Sequence, residues 1–432
     1  MAMETPRYLC GFGNHHESEA LEGALPVGQN SPQVCPYKLY AEQLSGTAFT
    51  VPRHASQRTW LYRIRPSVCH RPFVPYQPKS GRATPDVDGG VNTPNQLRWS
   101  PFESPKSSID WVDSLSLMSF AGDASARNGI AIYMYAANTA MDKRVFYNSD
   151  GDFLIVPEHG TIQVRTEFGM LIVEQNEICV IPRAIRFQIN PIGDWIRGYV
   201  LEVFNGHYEL PDLGPIGSNG LANPQDFYYP TAVWEDERCD WTIVNKYLSQ
   251  FYAAEQDHSP FNVVAWRGNY LPYKYDLKRF NAVNTVSHDH MDPSIFTVLT
   301  CKSAIPGVAI ADFVIFPPRW AVSEHSFRPP YFHRNVMSEF MGLIHGSYEA
   351  KQDGFLPGGA SLHSIGSPHG PDAKTVEMAS AEDLKPVRVA EGTMAFMFES
   401  SFMLRTTRWA MEESGKLQSE YWKAWAEIRP LF

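Results

Sequence analysis

The stretch FLIVPEHGTIQVRTEFGMLIVEQNEICVIPRAIRFQINP, residues 153–191, decides the fold. It holds short apolar runs that are separated by turn-forming residues at close intervals. In one run Ile162 and Val164 alternate with Gln163 and Arg165, which is the period of a half-buried strand. Short strands with this turn spacing are typical of a jelly roll. We therefore expect a β sandwich or barrel in this part of the chain.

The composition predicts two such units. A chain of 432 residues exceeds what one core usually supports, and 44% apolar residues are ample for two large cores. Thirty-three prolines and thirty glycines, with few long helical patterns, favour a mainly β protein of two jelly-roll barrels or sandwiches with a few peripheral helices. We predict an N-terminal domain over residues 1–280, with long loops, and a C-terminal domain over residues 281–432.

Further elements can be placed from local patterns. We predict a strand over Thr59–Ile64 and a helix over Thr242–Tyr252, and we expect strands in IFTVLT, VAIADFVIFP, EFMGLIHG and MAFMFESSFMLRTT of the second unit. In the last of these, Phe396 and Phe398 share a face that should be buried. A helix over Lys416–Ile428 is predicted because Leu417, Tyr421, Trp425 and Ile428 would form one apolar stripe, which we expect to be core or contact surface.

The irregular segment from Phe73 to Pro105 is long and rich in Pro, Gly, Asp and Asn. Such a segment is either disordered or laid over neighbouring subunits. Because it carries Trp99 and Phe102, we favour the second interpretation.

Charge and cysteine content exclude several classes of function. The net charge is −10 and no basic run is present, which argues against a nucleic-acid partner. No stretch reaches about eighteen uninterrupted apolar residues, so we expect no membrane span. The first residues lack the basic start and apolar core of a signal peptide. Six scattered cysteines predict buried free thiols in a reducing cytoplasm.

The stretch from His325 to Asp372 carries the candidate chemistry, with five of the fourteen histidines. His333 and Glu339 are too far apart in a straight strand, roughly 20 Å, to touch one ion, and a helix would point them to different sides. A bend near Arg334-Asn335 is required if both are ligands. With His369 from a later loop, the set resembles the two-histidine, one-carboxylate site of non-haem Fe(II) oxygenases. Ordinary hydrogen bonding in loops is the alternative.

The first unit has a different character. His159 is alone in a turn, and the segment PRAIRF carries no histidine. We expect this unit to be a structural sandwich without a metal.

Several long motifs carry a family resemblance. They are GFGNHHESEALEGALPVGQNSPQVCPYKLYAEQLSGTAFTVPR at 11–53, QRTWLYRIRPS at 57–67, YFHRNVMSEFMGLI at 331–344, GSYEAKQDGFLPGGASLHS at 346–364 and SPHGPD at 367–372. Together they resemble the homogentisate 1,2-dioxygenase family, non-haem iron enzymes of the cupin superfamily. The resemblance covers essentially the whole chain.

This resemblance implies a set of functional residues. His333, Glu339 and His369 would bind Fe(II), and His290 would be the catalytic acid or base. Tyr348 and His363 would face the substrate, together with His369.

The resemblance also implies an activity and an assembly. The enzyme would use Fe(II) to convert homogentisate and O2 to maleylacetoacetate in tyrosine and phenylalanine catabolism. It would be a cytoplasmic homohexamer, a dimer of trimers, with no nucleic-acid or membrane partner.

Some assignments stay open. His288 stands where the family pattern has an apolar residue, and with His290 it forms a His-x-His pair that could itself bind metal. His345 stands where some members carry Arg. The substrate carboxylate has candidate partners in Tyr331, Arg334 and Lys351.

Two rival functions remain. One is a Zn²⁺ hydrolase or isomerase that uses the same three ligands. The other is a non-enzymatic binding or storage protein.

Overall fold

A computed structural model describes residues 6–86, 88–212, 221–284, 287, 293–348 and 354–430. The chain is mainly β, as predicted. Its strands, in chain order, are β1 Tyr8–Cys10, β2 His16–Glu19, β3 Tyr40–Ser45, β4 Arg58–Arg63, β5 Val74–Tyr76, β6 Leu97–Trp99, β7 Ser116–Asp123, β8 Asn128–Ala137, β9 Arg144–Asn148, β10 Asp152–Thr166, β11 Gly169–Val173, β12 Glu177–Ile181, β13 Phe187–Val203, β14 Phe227–Pro230, β15 Trp241–Tyr247, β16 Gln250–Gln256, β17 Val263–Gly268, β18 Tyr273–Asp276, β19 Thr297–Lys302, β20 Ala309–Phe316, β21 Arg319–Ala321, β22 Ser338–His345, β23 Ala360–His363, β24 Val387–Val389, β25 Met394–Ser400 and β26 Arg405–Thr406.

Helices are few and short. The α-helices are α1 Trp111–Ser114 and α2 Ala373–Ala381, a π-helical turn spans Trp409–Glu413, and 3₁₀ turns span Pro36–Lys38, Arg53–Ala55, Pro224–Asp226, Leu277–Arg279, Pro293–Phe296 and Tyr421–Trp425. Among the described residues, no helix is long and apolar enough to span a bilayer.

Strands β10 and β13 form the centre of a fourteen-stranded sheet. They pair from Asp152 with Val203 to Thr166 with Phe187, and the register shifts on either side of His159. Such bulges bend a strand, so that one half of β10 pairs with β12 and the other half with β11. His159 thus lies within a strand and not in the predicted turn.

The predicted alternation in β10 is confirmed. Ile162 and Val164 are fully buried, whereas Gln163 and Arg165 are partly exposed. The inward side chains pack into the sandwich core, and the outward ones reach solvent.

Five strands from the second half of the chain form a six-stranded sheet together with β6, in the order β19-β20-β25-β22-β23-β6. Its strands β19, β20 and β22 coincide with three of the predicted segments, and β25 covers the first half of the fourth. Phe396 and Phe398 are both fully buried, as predicted. Across the described residues neither large sheet closes on itself, so neither is a closed barrel.

The last strand of this sheet, β6, corrects the prediction for residues 97–99 of the segment 73–105. Leu97–Trp99 pairs with β23 of the same chain, with Trp99 opposite Ala360. Trp99 is fully buried, its indole N–H donates to the carbonyl oxygen of Ala410 at 2.9 Å, and its ring stacks on Phe340. A three-residue strand among prolines and asparagines has no readable period, which is why the sequence suggested a surface segment instead.

The two sheets exchange strands and share a core. Arg405–Thr406, strand β26, pairs with β7 of the large sheet. One continuous cluster of buried apolar residues includes side chains of both sheets. At their contact the hydroxyl of Tyr199 donates to the carbonyl oxygen of Gly359 at 2.6 Å, and the rings of Tyr199 and Phe396 lie 4.9 Å apart. The division at residue 280 stays a prediction.

The predicted helix over Thr242–Tyr252 is wrong. The segment is the hairpin of β15 and β16, whose turn residues Leu248 and Ser249 have φ of 51° and 59°. Thr242, Ile243 and Val244 are β-branched and favour strands. Parallel pairing with β9 completes the strand.

The predicted helix over Lys416–Ile428 is also largely wrong. Leu417 forms an isolated bridge with Trp99, and the helical part is limited to the 3₁₀ turn Tyr421–Trp425. The backbone of Leu417 pairs with Trp99 of β6, and this extended conformation is incompatible with a helix at the start of the segment.

The cysteines follow the prediction in part. All six are free; Cys35, Cys179 and Cys301 are buried, whereas Cys10 and Cys69 are exposed.

Candidate metal centre

Two pieces of backbone bring three candidate ligands together. His333 and His369 form an isolated antiparallel bridge, with N–H···O distances of 2.9 and 3.1 Å. After His333 the chain bends at Val336–Met337 before β22 begins. This bend returns Glu339 toward His333, close to where the sequence required one.

The three side chains converge at their polar ends. His333 Nε2 lies 3.3 Å from Glu339 Oε1, and His369 Nε2 lies 3.0 Å from Glu339 Oε2. One ligand atom of each residue lies within 4.8 Å of the others. Glu339 and His369 are buried, and His333 is partly exposed. One face of the group is thus accessible.

Backbone carbonyl groups fix the tautomers of both histidines. His333 Nδ1 lies 2.8 Å from the carbonyl oxygen of Tyr331, and His369 Nδ1 lies 2.9 Å from that of Ser367. A carbonyl oxygen only accepts, so each Nδ1 carries a hydrogen and donates it. In the neutral rings both Nε2 lone pairs then face the Glu339 carboxylate. Three converging electron-pair donors are a site for a cation, and this pattern is usual for metal-binding histidines.

Glu339 is held in its ionised form. Burial of the carboxyl opposes ionisation, but in the metal-free site the favourable interactions with the His333 and His369 rings outweigh it and place the pKa of Glu339 well below its ordinary value. The amide of Asn335 also donates to Oε1 at 2.6 Å. The carboxylate is therefore both charged and oriented.

Two imidazole nitrogens and one carboxylate oxygen fit Fe(II), which favours this donor set with further positions open. Zn²⁺ accepts the same donors.

Cavities lie on two sides of the group. A small inner cavity of about 40 Å³ is lined by the three candidate ligands and by Phe316, Pro330, Met341, Tyr348, His363, Gly370 and Met397. A wider outer groove of about 740 Å³ lies against His333, His369, Phe332, Arg334 and Trp425. The inner wall is mostly apolar.

Tyr348 and His363, the predicted substrate contacts, both reach the inner cavity. Tyr348 is nearly buried and packs against Phe316 and Phe355. His363 is fully buried, pairs with Glu339 across β22 and β23, and stacks on His369 at 4.3 Å.

Other predicted residues lie elsewhere or outside the described part of the chain. His290, His288 and Lys351 fall outside the described residues. Arg334 and Tyr331 are both exposed, and Arg334 lines the outer groove. His345 contacts the Asn176 side chain and the Gly392 carbonyl oxygen, at 2.8 and 2.9 Å, and does not line the inner cavity.

Three further residues contact the site without a clear sequence signal. They are Asn335, Tyr421 and Trp425. Asn335 lies four residues before Glu339 in a loop, where polar residues are common. Tyr421 and Trp425 form part of the predicted apolar stripe, which suggested only core or contact surface.

Comparison with known proteins gives a consistent result. Two family models match the chain: homogentisate 1,2-dioxygenase N-terminal over residues 7–277 and homogentisate 1,2-dioxygenase C-terminal over residues 278–432. The homogentisate 1,2-dioxygenase of Homo sapiens is 58% identical, over 99% of this chain and 97% of its own length. Those of Drosophila melanogaster and Arabidopsis thaliana are 55% and 54% identical, each over 100% of this chain and over 99% and 94% of their own lengths.

Two similar solved structures are more distant from this chain. Protein Ylba from E. coli is 8% identical over 72% of this chain and 93% of its own, with a TM-score of 0.34. An oxalate decarboxylase of Bacillus subtilis is 9% identical over 73% of this chain and 81% of its own, with a TM-score of 0.31. TM-scores this low do not establish a shared fold.

Proposed function

The chain belongs to the homogentisate 1,2-dioxygenase family, and on this premise we propose that it opens the ring of homogentisate with O2, in an Fe(II)-dependent reaction, to give maleylacetoacetate. It is an oxidoreductase, a dioxygenase that acts on homogentisate. The family expected from the sequence motifs is thereby confirmed, and a non-enzymatic storage role is excluded.

His333, Glu339 and His369 are the proposed iron ligands. The observation that carries this assignment is the convergence of two Nε2 atoms and one ionised carboxylate, with each Nδ1 engaged by a carbonyl oxygen. When bound, Fe(II) supplies open coordination positions and the redox chemistry by which O2 reacts with an aromatic ring.

The remaining side chains have proposed roles toward the substrate. Tyr348 and His363 can each donate or accept a hydrogen bond, so they suit a phenolic hydroxyl group. His290 is proposed as the acid or base that accepts the phenol proton. The apolar inner wall, with Phe316 and Met397, excludes water from the reacting ring.

The cellular setting extends this proposal. Following the family, we propose a role in tyrosine and phenylalanine catabolism, a homohexameric assembly built as a dimer of trimers, and a cytoplasmic location. No nucleic-acid or membrane partner is part of the proposed function.

Oxygen consumption with homogentisate tests the function. Purified protein is prepared without metal, loaded with Fe(II), and loaded with Zn²⁺. We expect uptake of one O2 per homogentisate in the iron sample alone, because zinc has no redox chemistry. Equal turnover in the zinc sample, or no uptake with iron bound, would contradict the proposal and favour the hydrolase or another substrate.

A further inference from the structure

The segment Lys416–Trp425, here called the C-terminal strap, is tied to both the second sheet and the candidate site. The Ser100 N–H donates to the Lys416 carbonyl oxygen, and the Gln418 N–H donates to the Arg98 carbonyl oxygen, each at 2.8 Å. At its other end the indole N–H of Trp425 points to the carbonyl oxygens of Gly370 and Pro371, at 3.3 and 3.1 Å. These two residues follow His369 directly. The strap is therefore fixed on both sides of the site.

Tyr421 lies in the middle of the C-terminal strap and points inward. Only 2% of the residue is exposed. Its hydroxyl is 3.0 Å from His363 Nε2, and the Arg98 guanidinium lies over its ring at 4.3 Å. The Trp425 ring packs beside it at 5.1 Å. The phenol is thus held by contacts on several sides and reaches His363 with its polar end.

We propose that Tyr421 is a positioning residue that acts through His363 and holds its imidazole ring in one of two orientations. The torsion of an imidazole ring about its Cβ–Cγ bond is broad and roughly two-fold. A flip exchanges nitrogen and carbon at both edges of the ring. The hydrogen bond at Nε2 selects one orientation and thereby fixes the position of Nδ1.

This selection matters because of the neighbours of His363. The ring stacks on His369 with centroids 4.3 Å apart and planes at 12°. It also lines the inner cavity, next to Tyr348, the other side chain proposed to contact the phenolic hydroxyl group. Burial raises the pKa of the Tyr421 phenol, so the hydroxyl keeps its hydrogen at neutral pH. The inference rests on the proposed function, since it assigns His363 to the substrate.

Substitution Tyr421→Phe tests the inference because it removes the hydroxyl and keeps the ring. The probe is homogentisate, titrated calorimetrically into Zn²⁺-loaded protein, which cannot turn it over. We expect about tenfold weaker binding, the size expected for one hydrogen bond, with an unchanged zinc content. The matched control is Tyr270→Phe, which removes another buried hydroxyl that donates at 3.0 Å to the Arg183 carbonyl oxygen. This control should bind homogentisate like the parent protein.

A double-substitution cycle separates positioning from packing. In a His363→Gln background, Tyr421→Phe should have no further effect on homogentisate binding, because the imidazole that Tyr421 positions is no longer present. Equal affinities of Tyr421→Phe and parent protein would overturn the inference, as would an effect that is additive with His363→Gln.

A substrate-free measurement keeps this test apart from that of the function. The visible spectrum of Co(II)-loaded protein should change in Tyr421→Phe and not in Tyr270→Phe, because His363 stacks on the proposed ligand His369. Failure of the parent protein to consume O2 would count against the proposed function alone. An unchanged cobalt spectrum in Tyr421→Phe would count against the role of Tyr421.

Discussion

Among single residues, Glu339 supports the most direct prediction, because its carboxylate faces both histidines. Substitution Glu339→Gln removes the negative charge of the carboxylate and puts an amide group next to the Nε2 atoms of His333 and His369. We expect the iron content to fall at least tenfold and O2 uptake to be abolished. Iron per protomer is measured by atomic absorption after gel filtration.

The control for this substitution is Glu324→Gln, which removes an exposed carboxylate from the same half of the chain. It should retain iron and activity. Full iron occupancy and turnover in Glu339→Gln would show that the ligand assignment is wrong.

Asn335 supports a second prediction, because its amide donates to Glu339 Oε1 at 2.6 Å. Groups that orient metal ligands typically contribute 10–100-fold to metal affinity. Substitution Asn335→Ala is therefore expected to release Fe(II) to a chelator about tenfold faster, while the reloaded protein still turns over. An unchanged release rate would leave Asn335 without a role in orienting the carboxylate.

How far the sequence predicts the site depends on the residue. Long motifs pointed to His333, Glu339 and His369, and the bend between the first two followed from strand geometry. Asn335 and Tyr421 were not predicted, since neither a hydrogen bond within a loop, as from Asn335 to Glu339, nor one between distant segments, as between Tyr421 and His363, leaves a periodic signal. The placement of Tyr421 against His363 depends on the path of the C-terminal strap, which no local pattern specifies.

Among the elements, the start of β10 supports a prediction on stability. Asp152 is buried and accepts a hydrogen bond from Arg183 Nε at 2.8 Å, and His207 Nδ1 lies 2.6 Å away. Burial opposes its ionisation, but the charges and hydrogen bonds of His207 and Arg183 outweigh this effect and lower the pKa of Asp152 to about 2. Removing one member of such a buried network costs about 3 kcal/mol. Substitution Asp152→Asn should lower the free energy of unfolding by this amount at pH 7.

The pH dependence follows from the same shift. A carboxyl whose pKa is lowered by folding stabilises the protein above its ordinary pKa of 3.8, and this stabilisation is lost as the pH falls from there toward about 2. Urea unfolding of Asp152→Asn should therefore show a shallower loss of stability below pH 4. Asp257→Asn is the control, because Asp257 pairs with His258 but is 81% exposed. A decline as steep as that of the parent protein would contradict this role of Asp152.

Elements with a clear period were predicted well, and the others were not. The alternation in β10 and the four strands of the second sheet follow from local hydrophobicity. The hairpin β15–β16 was mistaken for a helix because its tight turn, with positive φ at Leu248 and Ser249, contains no glycine. Strand β6 was missed because its pairing is with residues more than 250 positions away.

For the whole molecule, the exchange of strands predicts how the two halves depend on each other. A fragment of residues 281–432 lacks β6 and would expose the edge of β23 and the face of Phe340 that Trp99 covers. We expect this fragment alone to be unfolded by near-ultraviolet circular dichroism. Co-expression with residues 1–280 should restore a folded, iron-binding complex.

A fragment that folds and binds iron by itself would contradict this interdependence and support two autonomous domains. A longer fragment that begins at residue 88 and so includes β6 serves as a comparison.

The pairing of Arg405–Thr406 with Phe120 and Ser119 also has a consequence for biosynthesis. The other strands of the fourteen-stranded sheet leave the ribosome long before β26 has been translated. The edge of β7 that pairs with β26 therefore stays unpaired until almost the whole polypeptide has emerged. Nascent chains are therefore open to misassembly between neighbours on a polysome. A premature stop codon shortly before residue 405 would damage the N-terminal sheet as well as the end of the chain.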